Sequence, residues 1–342
     1  DTWQSPGRAH VRVQMPRAIS YDQKSDALFI ADMASDEVII IANTSKASIR
    51  QESRRALQRS GKRCGPDGVA LANNGDLLVH CSFDKRVARL SASALDTTAS
   101  ALNGQTKFAQ VTQMALAWSD ELSRSPLSEA AQRGRNLFHK GNDARLSMSG
   151  AMACANCHPE ARSDGLSWRI EGTELQTPLL AGRMVGTHPF KWDGQDKDLQ
   201  TSLMKTTVRL GGNGIAASDA RDLRAYLESL PNIRANKATN IATISSQKRG
   251  QKIFNNKDVG CRSCHSGKNY SDGKSYEFSD DIPHVNTPSL LGLAGSAPYY
   301  HDGSAASLRD LVLENGSVHG MGRLDSLKSQ EVDDLVAFLE TL

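Results

Sequence analysis

A five-residue pattern occurs twice in this chain and constrains it more than any other feature: Cys154-Ala-Asn-Cys157-His158 and Cys261-Arg-Ser-Cys264-His265. In C-x-x-C-H, two thiols three positions apart on one tight turn can each bond a vinyl group of the same porphyrin. The histidine that follows then presents an imidazole to the iron. The same letters can also mean half of a zinc site or a redox dithiol. A four-cysteine zinc site would use both pairs and leave both adjacent histidines to coincidence. A thioredoxin-like dithiol expects a βαβ setting, whereas the flanks here carry helical patterns. Two copies in similar surroundings point to two covalently bound haem c groups. Cys154, Cys157, Cys261 and Cys264 are then the thioether attachment points, and His158 and His265 the iron ligands.

Haem c is attached outside the cytoplasm, so a periplasmic, secreted or cell-surface location is expected. Cys64 and Cys81 suit that compartment, where disulfides persist. They flank a predicted hairpin, and a Cys64–Cys81 bridge is expected over two separate buried thiols. Composition narrows the rest. The 342 residues give a prior of two to three domains, and 39% hydrophobic with 23% charged residues is the balance of an ordinary folded protein. A net charge of +3 is too small to argue for nucleic acid or an anionic membrane as partner. No apolar run approaches the ~20 residues of a membrane span. Asp1 opens the chain without a charged and apolar leader, so any signal peptide is expected to have been removed.

Two internal repeats organise the chain. The first contains the C-x-x-C-H motif. Copy one runs Arg133-Gly134-Arg135-Asn136-Leu137-Phe138, the cysteine motif, Thr177-Pro178-Leu179-Leu180, Pro189-Phe190-Lys191-Trp192-Asp193-Gly194 and Asp222 to Leu230. Copy two runs Arg249-Gly250-Gln251-Lys252-Ile253-Phe254, the motif, Thr287-Pro288-Ser289-Leu290, Pro298-Tyr299-Tyr300-His301-Asp302-Gly303 and Asp334 to Leu342. Ser128 suits the cap of a helix carrying Leu137 and Phe138. Val332, Leu335, Val336 and Leu339 fall at helical spacing and read as core. Polar residues 231–247 read as a linker. The second repeat, of about 50 residues, is a set of short strands: Ala18–Asp22, Ala27–Met33 and Glu37–Asn43, then Gly68–Asn73, Asp76–Phe83 and Arg86–Leu90, with a hairpin turn at Asn73-Asn74-Gly75. That period is the size of a propeller blade, and two blades cannot close a ring. Further blades are expected in cis or from another chain, against the alternative of a small sheet packed on the haem region. The expected division is a partial β-propeller at 1–118, a first haem c domain at 119–235 and a second at 236–342.

The haem copies resemble the bacterial di-haem cytochrome c peroxidase superfamily, which includes MauG-type enzymes. The resemblance spans about Ser128 to Leu342 and rests on the duplicated C-x-x-C-H, the Thr-Pro-Ser-Leu and Ala-Pro-Tyr-Tyr-His-Asp-Gly-Ser runs of copy two, and Phe190-Lys191-Trp192-Asp193-Gly194 of copy one. The N-terminal strands look like a YVTN-type β-propeller. The resemblance implies a mixed fold: all-β propeller-like blades followed by two tandem α-helical class I cytochrome c-like domains. It also implies that haem two, ligated by His and Met, relays electrons to haem one, which meets peroxide or oxidises a partner. Trp192 matches the family's inter-haem tryptophan, with one residue inserted, and is the expected catalytic residue. Met321, flanked by Gly320 and Gly322, is the candidate distal ligand of haem two, with His319 as runner-up. A small cytochrome or cupredoxin is the expected redox partner. Calcium between the haem domains is a family feature to which no ligands are assigned here. Tyr299 and Tyr300 match the family's aromatic pair and read as packing, although MauG-type enzymes use a Tyr as this distal ligand.

Copy one departs from the peroxidase pattern. The loop Pro159 to Gln176 holds no histidine, and Thr206 to Gly212 offers no match for a catalytic glutamate. His188, His139, Met204 and Met148 are the candidates to close haem one, each also readable as a surface or packing residue. Arg183 and Arg209 are candidates for haem propionates, and His301 reads as a structural hydrogen-bonding residue. A di-haem oxidoreductase is the favoured reading. A purely electron-transferring cytochrome or a propeller-based binding protein is the alternative.

Overall fold

The computed structural model describes residues 12–45, 51–92, 117–233, 238–277, 284–315 and 321–342, together with Leu95 and Ile282. The chain divides into two compact units, Asp1–Ala153 with Gly211–Asn213, and Cys154–Leu210 with Gly214–Leu342.

The first unit holds two four-stranded antiparallel sheets. One is the meander β1 (Pro16–Asp22), β2 (Ala27–Asp32), β3 (Glu37–Ala42) and β4 (Gln51–Ala56). A short hairpin, β5 (Gln58–Arg59) and β6 (Lys62–Arg63), leads to the second sheet: β7 (Pro66–Leu71), β8 (Leu77–Cys81), β9 (Arg86–Leu90) and β10 (Ala117–Trp118). The unbroken apolar run Val38–Ala42 is the mark of a strand covered on both faces, and all of β3 is buried. Val38 and Ile40 join Phe29, Leu77, Val79, Ala88 and Leu90 in one core shared by the two sheets, while Ile39 and Ile41 pack with Ile30 on the opposite face. Ile39 and Ile40 are wholly excluded from solvent, which stabilises the unit by roughly 2–3 kcal/mol each. Asn74 and Gly75 turn β7 into β8, and Gly75 takes the φ of +84° that such a turn demands.

Cys64 and Cys81 form a disulfide inside the shared core, with Cα atoms 4.5 Å apart. A bridge closing a loop of this length is worth roughly 3 kcal/mol. Helix α1 (Glu129–Phe138), the opening helix of copy one, packs in this same unit. Ser128 Oγ accepts from Ala131 N at its start, as the sequence suggests. Arg63 donates to Asn136 O and to Met33 O and Ala34 O, and the Arg135 guanidinium lies 4.6 Å from the centre of the Phe83 ring.

The second unit contains both C-x-x-C-H motifs. Its elements run α2 (Cys154–Cys157), the hairpin β11 (Ser167–Ile170) and β12 (Thr173–Gln176), α3 (Leu199–Arg209), α4 (Ala217–Ser229), α5 (Ile241–Phe254), the hairpin β13 (Ser275–Glu277) and β14 (His284–Asn286), α6 (Leu308–Asp310) and α7 (Ser329–Leu339). Helix α5 begins inside the stretch that reads as a linker, because Asn240 caps it by accepting from Thr243 N at 2.7 Å. Helices α5 and α7 cross at Gly250, where a Cβ would meet Asp334 O at 1.8 Å. Arg249 and Ser246 clasp the Asp334 carboxylate at the same crossing. Val332, Leu335 and Leu339 of α7 are buried with Phe254, Leu290, Tyr299 and Leu308. No helix among the described residues is long and apolar enough to cross a membrane.

Candidate haem sites

In each copy the cysteine pair sits on a single turn. His158 N donates to Cys154 O at 2.9 Å, and His265 N donates to Cys261 O at 3.1 Å. The imidazoles are oriented alike. His158 Nδ1 lies 3.2 Å from Arg162 O, and His265 Nδ1 lies 3.0 Å from Tyr270 O. The carbonyls of Pro178 and Pro288, from the two Thr-Pro segments, act on the same rings. A ring whose Nδ1 hydrogen is engaged by a carbonyl presents Nε2 as the metal-binding lone pair. Burial lowers the pKa of both histidines, which favours the neutral imidazole that iron requires.

The cysteines behave in the opposite sense from a metal-thiolate or dithiol site. Burial pushes the Cys154 thiol up to about 12 and Cys261 up to about 11. A reactive or zinc-binding sulfur needs its pKa lowered. A sulfur that ends as a neutral thioether does not. All four are unpaired as disulfides, and no group of three or more metal-type ligands gathers among the described residues, so the pairs do not form one zinc site.

A crossed arrangement joins the two copies inside the second unit. Gln176 N, just before Thr177-Pro178, donates to His301 O at 2.7 Å, and Asn286 N, just before Thr287-Pro288, donates to Trp192 O at 2.7 Å. Ser167 Oγ donates to Asp302 O at 2.7 Å, and Ser275 Oγ to Asp193 O at 3.2 Å. Each hairpin thus holds the Asp-Gly turn of the other copy. Gly194 and Gly303 suit glycine by their φ, and a side chain there would displace the serine hydroxyls that hold the turns. Their φ values are +72° and +77°, and a Cβ would fall 2.2 Å from Ser275 Oγ and 2.3 Å from Ser167 Oγ respectively.

Trp192 lies at the centre of this exchange. Its Nε1 donates to Gln176 O at 3.1 Å, and its ring centre is 6.5 Å from that of His301 at an interplanar angle of 68°. His301 is buried and packs against Tyr300, with ring centres 4.3 Å apart and the rings inclined at 60°. The two turns share one register. Each follows a cis proline, Phe190 bridges Asp196 as Tyr299 bridges Ala305, and Lys191 and Tyr300 both have φ +74°. Relative to copy two, Lys191 is therefore an in-register residue and not an insertion.

Met321 is half-buried, and its chain crosses the backbone just before the second motif: Arg323 N donates to Val259 O at 3.0 Å. His319, the runner-up ligand, lies outside the described residues. Among the residues weighed for haem one, His188 is exposed and Met204 is 36% exposed on α3. His139 and Met148 belong to the first unit, where His139 packs on Phe83 and Phe138 and Met148 is exposed.

Arg183 supplies a separate test of whether the site suits haem. It is buried and donates through Nε to Leu291 O at 2.5 Å, while its Nη2 is buried without a hydrogen-bond partner. Desolvation pulls its pKa down to about 10. Arg209 Nε is likewise buried and unpartnered. Buried guanidinium nitrogens without a partner, in the unit that holds both histidine–cysteine turns, fit an anionic group such as a haem propionate. The spacing and alignment of these residues fit haem c. The crossed hairpins and the burial of Arg183 were not read from sequence, although an amide side chain before Thr-Pro in both copies was the available signal.

The helical unit and its two cysteine–histidine turns are consistent with two haem c sites. Residues 247–342 match the cytochrome c family model. The chain is similar to the hydrazine synthase gamma subunit of Kuenenia stuttgartiensis, at 28% identity over 281 residues, 63% of this chain and 78% of that protein. It is similar to the methylamine utilization protein MauG of Methylophilus methylotrophus, at 25% identity, covering 64% and 84%. It is also similar to the cytochrome c551 peroxidase of Pseudomonas aeruginosa, at 26% identity, covering 65% and 81%. The relationship is thus to the di-haem peroxidase and MauG-like oxidoreductases, at a distance.

Proposed function

We propose that this chain is a di-haem oxidoreductase in which copy two receives electrons from a small redox protein and copy one meets the substrate, peroxide or an oxidisable partner. The observation that carries the reading is the crossed turn. Trp192 is fastened by Nε1 to the Thr-Pro strand of copy one and by its own carbonyl to that of copy two. Haem, when bound, supplies the one-electron chemistry. The protein's part is to fix ligand and distance. His158 and His265 would ligate iron through neutral imidazoles, and Met321 would be the second ligand of copy two, where a thioether would raise the potential. Arg183 would neutralise propionate charge. Trp192 couples the copies.

A second reading, electron transfer alone, draws on the histidine-free stretch Pro159–Gln176, which here forms β11 and β12. The N-terminal meanders are read as blades completed by further strands in cis or from another chain, and the protein as periplasmic or cell-surface. Optical and EPR spectra of the oxidised and half-reduced protein, followed by peroxide, test the choice. One high-spin and one low-spin centre, with the high-spin signal lost on peroxide addition, supports the enzyme. Two low-spin centres indifferent to peroxide support electron transfer alone.

A further inference from the structure

Lys191 is a half-buried cation that this reading leaves without a role. Its side chain is 18% exposed. The Nζ donates to Ser202 O at 3.2 Å and to Thr206 Oγ1, both on α3. Asp196 Oδ2 is 3.9 Å away, and the other oxygen of that carboxylate is held at 2.6 Å by Lys205. The ammonium therefore has neutral acceptors and only a distant share in a carboxylate that another lysine occupies. Arg209 and Lys205, from α3, add positive charge, and Asp193 and Asp196, from its own turn, negative charge. Desolvation, and then Arg209, push the amine down to about 8.

The turn that carries Lys191 touches both copies: Trp192 Nε1 donates to Gln176 O, two residues before Pro178 of copy one, and Trp192 O accepts from Asn286 N of copy two. Of the two motif imidazoles, His158 of copy one is the one whose ionisation the charge of Lys191 disfavours. In copy two the same register position is Tyr300, which carries no positive charge.

We propose that Lys191 is a redox-linked proton site for haem one, its ammonium favouring the reduced iron. The physics is reciprocal. A half-buried positive charge repels Fe(III) more than Fe(II), so a protonated Lys191 raises the reduction potential. By linkage, reduction makes the amine hold its proton more tightly. The coupled step takes one electron from the redox partner protein to the iron and one proton from solvent to Nζ, and it runs backwards on oxidation. The inference rests on the reading that copy one carries haem.

The test is a spectroelectrochemical titration of each haem from about pH 6 to about pH 10, on holoprotein whose mass confirms two attached haems. In the wild type the potential of haem one is level at the acid end and falls from about pH 8 upward. In Lys191→Met it is lower and level throughout. In Lys191→Arg it stays high and level, because a guanidinium does not titrate in this range. The potential of haem two serves as the internal control and is the same in all three proteins. The wild-type pH dependence persisting in either variant overturns the proposal. If Lys191→Met fails to acquire both haems, Lys191→Arg alone decides, by losing or keeping the slope. Two haems with no slope in the wild type defeat the lysine proposal alone. A single haem, on copy two, defeats the reading beneath it as well.

Discussion

Copy one and copy two build the same turn from different chemistry. Each follows a cis proline with an aromatic residue and ends in Asp-Gly, yet copy one fills the two positions between with Lys191 and Trp192 where copy two has Tyr300 and His301. The backbone hydrogen bonds that hold the turns are nearly identical, at 2.7 Å in both directions. What differs is charge and ring type. Under the proposed function, a duplicated scaffold with matched backbone geometry would let two chemically identical haems acquire different properties. The protein reaches them only through ligands, local charge and neighbouring rings. The asymmetry sits where the copies touch; Trp192→Phe and His301→Phe probe it, and the other variants test the frame around it.

The largest effect is expected where copy two has no room. Gly250→Ala places a Cβ 1.8 Å from Asp334 O at the α5–α7 crossing. The helices must part, at a cost at or above about 3 kcal/mol. Thermal melting followed at the haem-two Soret band reads it as a lowered midpoint. Next is the disulfide. Replacing Cys64 and Cys81 together by alanine removes roughly 3 kcal/mol from the first unit. Melting by far-UV circular dichroism shows this loss, while both haem spectra stay unchanged, because the bridge lies wholly among the sheets. Trp192→Phe deletes the Nε1 donor and leaves Gln176 O unsatisfied. That costs about 1 kcal/mol of stability. Transfer between haems, followed by flash reduction, is expected to slow about tenfold, equivalent to about 1.4 kcal/mol of barrier. His301→Phe, on the other side of the same ring pair, is expected to slow it less. Equal slowing by both would erase the functional asymmetry between the copies.

Features written in local patterns were legible in the sequence. The C-x-x-C-H spacing marked two single turns, the alternation around Phe29 and Val79 marked strands, and the spacing of Val332, Leu335 and Leu339 marked the α7 core. Cys64 and Cys81 were read as a bridge because a hairpin brings them together, and they are bonded. Features that depend on distant partners were not legible. Strand β4, Gln-Glu-Ser-Arg-Arg-Ala, looks like a charged loop. It becomes a strand because β3 offers it a ladder and Arg54 pairs with Glu37 at 2.9 Å. Hairpins β11–β12 and β13–β14 are short and polar, and their purpose is visible only when Ser167 and Ser275 are seen holding turns more than 80 residues away. Lys191 reads only as one inserted residue in the family motif, and its contacts with Ser202 and Thr206 of α3 are not visible before the fold is formed.

The smallest effect is the pH dependence of the α5–α7 crossing. Arg249, and then Ser246, hold the Asp334 carboxyl down to about 2, while the unfolded chain titrates near the ordinary ~3.9. The native pKa is the lower one, so the unfolded state binds more protons between these values and stability rises with pH across that window. The contribution is complete above about pH 5 and is lost as pH falls through about 2. Arg249 is half exposed, and its side of the pair is screened by solvent, so the gain is about 1 kcal/mol, well below what the shift alone would suggest. Asp334→Asn should lower the melting midpoint near neutrality and flatten its rise with pH in the acid range. A variant that melts with the wild-type acid slope would place the acid sensitivity of copy two on other carboxylates, and would reduce the crossing to the steric fit at Gly250.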